Sequence, residues 1–272
     1  MGKEMSDRAP GEEIQGNGSL FGAEDSLEEM LEEITGEEKA PLEVISFGHL
    51  EIDRKMEGGV PVGSLSLLEG GNDSGKSILL QQIMWGALDQ GKTVLALTTE
   101  KTAKDMLRQM EKLALDVYDY FIIGRSRILE IDANYIEENP QISEKLLLML
   151  LECIKRSEEE LVLIDSLTAF VVNSPENAIL NFFTECVKLC DRGKTILISV
   201  HGYSFSEALL SRIRSICDAY MELRIEHVGD QWIKTMEIQK LRGARKEIGN
   251  MLSFDVESEY GLKIIPVSKV KA

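Results

Sequence analysis

Little in this chain suggests a secreted or membrane-spanning protein. There are four cysteines in 272 residues, Cys153, Cys186, Cys190 and Cys217, and no C-x-x-C pair. Cys186 and Cys190 fall one helical turn apart, but no histidine or further cysteine lies close by. That favours small buried apolar residues in a reducing compartment over a disulfide or a metal site. No apolar run approaches the roughly 18–20 residues that a membrane span requires. The first residues are acidic where a secretory signal would be basic, so a soluble, cytoplasmic protein is expected. Positive charge is also short, with 30 Lys and Arg against 47 Asp and Glu, a net −17. Such a surface repels phosphodiester backbones, and no basic run marks a groove for one, which disfavours a nucleic-acid partner.

What is present suffices for one full core. With 43% hydrophobic content, a chain of this length can bury a single α/β domain and leave a tail over. The tail shows in the charge: residues 1–40 hold twelve acidic and three basic side chains, a balance of −9, which leaves −8 for residues 41–272. The folded domain is expected from Pro41 onward. In the extension, Leu27, Met30, Leu31 and Ile34 are spaced to make one amphipathic face against a partner. So short a helix is marginal alone, and a solvated acidic extension without order is the expectation.

The stretch around which the domain is organised is Gly70-Gly71-Asn72-Asp73-Ser74-Gly75-Lys76-Ser77, which matches G-x-x-x-x-G-K-[ST] at every fixed position. Leu65 to Leu68 before it reads as a buried strand, and Ile78 to Leu88 after it has helical periodicity, the strand-loop-helix setting of a P-loop. Glycines let the backbone curl so that successive N–H groups face a phosphate, and the helix adds the positive end of its dipole. The expected nucleotide contacts are Gly71, Asn72, Asp73, Ser74, Gly75, Lys76, Ser77 and Ile78. Lys76 is expected on the β- and γ-phosphates and Ser77 on Mg2+, so ATP and Mg2+ are the implied ligands.

Leu161-Val162-Leu163-Ile164-Asp165 is a continuous apolar run ended by an aspartate, the pattern of a buried parallel strand whose carboxylate faces the metal. Asp165 is therefore expected to join Ser77 around Mg2+. Strand and helix patterns alternate from residue 65 to 200, which predicts right-handed crossovers, a mainly parallel sheet covered on both faces, and a site at the strands' carboxyl ends. Residues 120–131 hold two apolar runs, Phe121-Ile122-Ile123 and Ile128-Leu129-Glu130-Ile131, expected to pair as extra strands or to lie beside the sheet. From Ile213 to Val267 the pattern turns to short β runs, with turns at Gly229-Asp230 and Tyr260-Gly261, which predicts edge hairpins.

Gly58-Gly59-Val60-Pro61-Val62-Gly63-Ser64, taken with the P-loop, resembles the N-terminal signature of the KaiC-like branch of RecA-type ATPases, and the resemblance extends from Phe47 over most of the chain. It implies a RecA-like α/β fold with a C-terminal β-hairpin region. It also implies that Glu100, at the end of the run Lys92 to Glu100, polarises the attacking water. Where this family often has two adjacent glutamates, this chain has Glu100 followed by Lys101. A lysine there could pair with Glu100 or with phosphate and lower the carboxylate's basicity, which implies weak hydrolysis. Ser199 or His201, at the end of the run Lys194 to His201, would sense the γ-phosphate. Gln239-Lys240-Leu241-Arg242-Gly243 is similar to the Lys-x-Arg element with which such subunits reach a neighbour's nucleotide, giving Lys240 and Arg242 a role in trans.

Within the family the chain is similar to the archaellum accessory ATPases. That implies a homo-hexameric ring at the base of the archaeal flagellum, with the motor ATPase and a membrane-anchored scaffold protein as partners. Two other readings stay open. One is a KaiC-like regulatory ATPase or autokinase unconnected with motility, and the other is a RecA-like DNA-dependent ATPase, against which the acidic body speaks.

Overall fold

A computed structural model of the chain describes residues 42–228, 231–244 and 250–265. The acidic extension, its amphipathic segment and the Gly229-Asp230 turn lie outside the described residues. In chain order the strands are β1 (Val44–Ile45), β2 (Val60–Pro61), β3 (Leu65–Gly70), β4 (Val94–Thr98), β5 (Ser126–Glu130), β6 (Leu161–Asp165) and β7 (Thr195–Val200). The chain then adds β8 (Ala219–Val228), β9 (Gln231–Leu241), β10 (Asn250–Glu257) and β11 (Gly261–Ile265). The helices are α1 (Leu50–Lys55), α2 (Lys76–Asp89), α3 (Ala103–Lys112), α4 (Tyr118–Ile122) and α5 (Ala133–Glu138). They are followed by α6 (Ser143–Arg156), α7 (Thr168–Val171), α8 (Glu176–Cys190) and α9 (Glu207–Ile216).

One sheet runs in the order β11-β10-β9-β8-β3-β7-β6-β4-β5. From β5 through β8 the neighbours are parallel, and β9, β10 and β11 extend the sheet antiparallel. Every residue of β3, β4, β6 and β7 is buried, which is why these strands read as unbroken apolar runs. Successive side chains take opposite faces. Leu68, Ala96, Leu163 and Leu197 join α2 and α3 in one core, whereas Leu67, Leu97, Ile164 and Ile198 join α6, α8 and α9 in the other. Truncating any of these buried leucines to alanine would cost about 2–5 kcal/mol.

Helix starts follow local chemistry. The Thr102 hydroxyl accepts from Asp105 N at the head of α3, and that of Ser206 from Leu209 N at the head of α9. The chain ahead of β3 is bound to α1 and α2: the Asp53 carboxylate on α1 accepts from Ser46 Oγ, Phe47 N and His49 N at 2.7, 2.7 and 3.1 Å, and Gln82 Nε2 on α2 donates to Phe47 O at 2.8 Å. A side chain at Gly86 in α2 would overlap the backbone of Ser46 and Phe47, so glycine is what allows this close approach.

Two elements differ from expectation. Phe121-Ile122-Ile123 is not a strand: Asp116 Oδ1 accepts from Tyr118 N to start the single turn α4, Gly124 closes it at φ +77°, and the three side chains stay exposed. β8 pairs antiparallel with β9 as the hairpin expectation has it, but it also lies parallel beside β3 inside the sheet, so only β9 to β11 extend to the rim. The run at Ile128 does add a strand, β5, at the opposite edge.

Candidate nucleotide-binding site

β3 ends at Gly70, the chain turns through residues 71–75, and α2 starts at Lys76. Gly75 caps the helix at φ +101°, ψ +9°, a conformation that side chains resist, and it offers no side-chain oxygen to the first-turn amides. Those amides and the dipole of α2 are left for an anion. The loop stands open at Gly71, where an added Cβ would meet nothing within 4 Å. Asn72 and Asp73 are exposed, Ser74 is buried with its hydroxyl on Gly71 O at 2.9 Å, and Ser77 and Ile78 are half-buried in the first turn of α2.

Lys76 is buried and folds back over the loop, donating to Gly71 O at 2.7 Å and Gly70 O at 3.1 Å. Burial lowers its pKa, while Asp165, Glu100 and Asp73 pull the value up. Asp165 ends β6, two strands from the P-loop strand, and is buried. Burial raises its pKa most; hydrogen bonding with Ser77 and Ser199 opposes the rise, Glu100 adds to it and Lys76 opposes it. Ser199 Oγ donates to Asp165 Oδ1 at 2.9 Å, so Ser199 is spent on that carboxylate. The Asp165–Ser166 peptide is cis.

Glu100 follows β4 and accepts from Ser166 Oγ at 3.0 Å. Lys101 has a partner other than Glu100 in the structure. Its ammonium is bonded to Gln109 Oε1 on α3, which also accepts from Gln81 Nε2 at 2.9 Å. His201, just past β7, has its Nδ1 3.0 Å from Thr168 Oγ1, and Thr168 Oγ1 also accepts from the His201 amide at 3.0 Å. Burial and then the charge of Lys76 lower the His201 pKa, against a smaller pull from Glu100.

Lys76, Ser77, Glu100, Asp165, Ser199 and His201 thus share the carboxyl end of the parallel strands. Lys240 and Arg242 do not join them. β8 runs parallel to β3 and carries Leu223 opposite Gly70, whereas Lys240 and Leu241 pair with Tyr220 and Ala219 near its start, at the far end of the sheet. There Lys240 Nζ donates to Ser215 O at 2.9 Å, and the exposed Arg242 forms an ion pair with Asp218 at 2.9 Å. At about 3.3 Å per residue, Lys240 and Arg242 stand on the order of 15 Å along the sheet from their own P-loop.

Long-range partners escaped the sequence reading. Ser166 and Thr168 could have been suspected as polar residues just beyond Asp165. Glu69 carried no local signal: it is buried directly before Gly70, held by Arg214 Nε and Nη2 at 3.0 and 2.8 Å and by the Tyr220 hydroxyl at 2.8 Å. Cys186, Cys190 and Cys217 are buried, and burial pushes all three thiols up, Cys190 to about 12.

The donor set fits a triphosphate with its metal: an open glycine loop, uncapped helix amides, a buried lysine, and a serine beside a buried aspartate. Comparison with known proteins agrees. A family model described as "ATPase: KaiC" matches residues 46–269. The archaeal flagellar ATP-binding protein FlaH of Sulfolobus acidocaldarius is 33% identical over 229 residues, 84% of this chain and 100% of that protein. The protein of the same name from Methanocaldococcus jannaschii is 23% identical over 224 residues, covering 81% of this chain and 94% of its own. The crystal structure of the flagellar accessory protein FlaH from M. jannaschii superposes with a TM-score of 0.72 at 22% identity, covering 83% of this chain and 99% of that one. A KaiC-like protein from Pyrococcus horikoshii gives 0.66 at 20% identity, covering 83% and 100%. These two show the RecA/KaiC-type fold. By the family model and the relative matched along its whole length, the chain belongs to the KaiC-type ATPases, among their FlaH-like members.

Proposed function

We propose that the chain binds MgATP at the P-loop and acts as an accessory ATPase of the archaellum, assembling into a homo-hexameric ring in which each nucleotide lies between two subunits. The observation that carries the nucleotide reading is the meeting of Lys76 with Asp165 and Glu100 at one end of the sheet, over an uncapped helix N-terminus. The amides of Gly71 to Ile78 wrap the phosphates, and Lys76 leaves its loop carbonyls for the β- and γ-oxygens. Ser77 and Asp165 would hold Mg2+, which would supply the charge that neutralises the phosphates. Glu100, steadied by Ser166, accepts a proton from the attacking water, and His201, oriented by Thr168, faces the γ-phosphate.

Lys240 and Arg242 complete the site of a neighbouring subunit. Their place at the opposite end of the sheet from the P-loop supports a head-to-tail contact, the kind that closes into a ring. Hydrolysis is slow in the isolated chain, because these cations are then missing from the γ-phosphate. Nucleotide state controls assembly and, through it, docking on the archaellum motor ATPase and a membrane-anchored scaffold, with the protein cytoplasmic and peripheral to the membrane. The archaellum assignment rests on the FlaH relatives. Titration of the chain with MgATP, with the Lys76→Ala variant alongside, tests the site; recovery of motor components with the tagged protein from its own cells tests the role. Binding unaffected by that variant, or recovery of no motor component, contradicts the respective part.

A further inference from the structure

On the rim opposite Glu100 and Asp165, a lysine from the antiparallel hairpins reaches the P-loop, and nothing in the phosphate-binding motif foretells it. Lys234 lies on β9, paired with Ile225 on one side and with Phe254 of β10 on the other. It shares a strand face with Met236 and Ile238, which join the core around α2. An added Cβ at Gly75 would meet the Phe254 ring at 2.9 Å and Cδ of Lys234 at 3.5 Å. The lysine stem therefore runs past the residue that caps α2, and its ammonium is one methylene beyond that contact, within reach of the loop.

An ammonium there adds to the positive electrostatics of the loop. The N-terminus of α2 carries positive partial charge, its first turn holds no acidic residue, and Lys76 adds a full charge. Half-buried, Lys234 has no hydrogen bond or ion pair among the described residues. Asp73, Glu100 and Asp165 offset the charge of Lys76, whereas Lys234 has no such partner among the described residues, so an anion bound at the loop would be the group that meets it. A stem that merely covered the Phe254 ring would be equally well served by methionine.

Strand order says which part of the ligand Lys234 meets. β6 and β4, with Asp165 and Glu100, lie on one side of β3, while β8 and β9 lie on the other. The γ-phosphate faces the carboxylates that handle metal and water, so the α-phosphate end points toward β9. Resting on the nucleotide reading above, we infer that Lys234 binds the α-phosphate end of the nucleotide in its own subunit, and so sets affinity for nucleoside di- and triphosphates alike. This distinguishes it from Lys76, which spans the β- and γ-phosphates, and from Lys240 and Arg242, which serve a neighbour.

Calorimetric titration of the full chain with MgATP and with MgADP tests this in the parent and in the Lys234→Met, Lys234→Arg and Lys76→Ala variants. Lys234→Met keeps the stem and loses the charge; it is expected to weaken both nucleotides about 10–100-fold, the worth of one hydrogen bond to a charged group, with the ATP-to-ADP ratio unchanged. Lys234→Arg keeps the charge and is expected to stay within about threefold of the parent. If Lys234→Met does not melt with the parent, Lys234→Gln is read in its place. Undiminished affinity for both nucleotides in the methionine variant overturns the inference, and a loss for ATP alone overturns the α-phosphate placement. With Lys76→Ala abolishing binding, either result leaves the nucleotide site standing. Parent protein that binds neither nucleotide overturns the site reading, and Lys234 falls with it.

Discussion

Replacing Arg214 with methionine removes a charge from beneath the P-loop while keeping most of the stem. Glu69 sits in β3 directly before Gly70 with its side chain 9% exposed, and Arg214 on α9, 29% exposed, grips it through Nε and Nη2. Without the guanidinium, a nearly buried carboxylate keeps only the Tyr220 hydroxyl. Breaking a fully buried pair by removing one partner costs about 3–5 kcal/mol. Because Arg214 has one side in water, a cost of about 2–3 kcal/mol is expected, or roughly 5–10 °C in Tm for a domain of this size. Thermal unfolding followed by circular dichroism reads the change without nucleotide. The double variant Arg214→Met/Glu69→Gln should recover most of the loss, since the unpaired charge is gone. A single variant melting within about 1 °C of the parent, or a double variant no better than the single, would refute the reasoning.

Lys76→Ala should weaken MgATP binding at least about a hundredfold in a fluorescent-nucleotide titration, and a loss under tenfold would contradict its role. Arg242→Ala should leave nucleotide affinity of the isolated chain intact and lower only assembly-dependent turnover, its exposed pair with Asp218 being worth less than about 1 kcal/mol to stability; equal loss of affinity in the monomer would end the trans assignment. For His201, burial lowers the folded-state pKa from 6.5, so as pH falls through about 6.5 the unfolded chain takes up its proton first and the fold loses stability. His201→Asn should flatten that loss between about pH 7.5 and 5.5, and melting curves that shift in parallel for both proteins would exclude it.

The parts legible in the sequence are those with short-range signatures. The P-loop spans eight consecutive residues, and β3, β4, β6 and β7 read as apolar runs because both their faces are covered. The carboxylates Glu100 and Asp165 stand at strand ends, where a parallel sheet puts its ligands. Tertiary pairing decides the rest. Glu69 meets Arg214 across 145 positions, and β8 enters the sheet beside β3 because Leu67 and Leu68 need neighbours on both sides, which no local pattern in residues 219–228 reveals. Phe121-Ile122-Ile123 has strand-like composition, but Asp116 and Gly124 bracket a single helical turn. Lys101 stands where the family often has a second glutamate, and a glutamine on α3 claims its ammonium, a partner that no local pattern reveals.

Light scattering of the full chain, with and without MgATP, bears most directly on a nucleotide held between two subunits. The mass should rise from that of one 30.4 kDa chain to a closed multiple of it when MgATP is added, and fall back when the nucleotide is removed. A particle that stays at the mass of a single chain while calorimetry shows the P-loop saturated would contradict it.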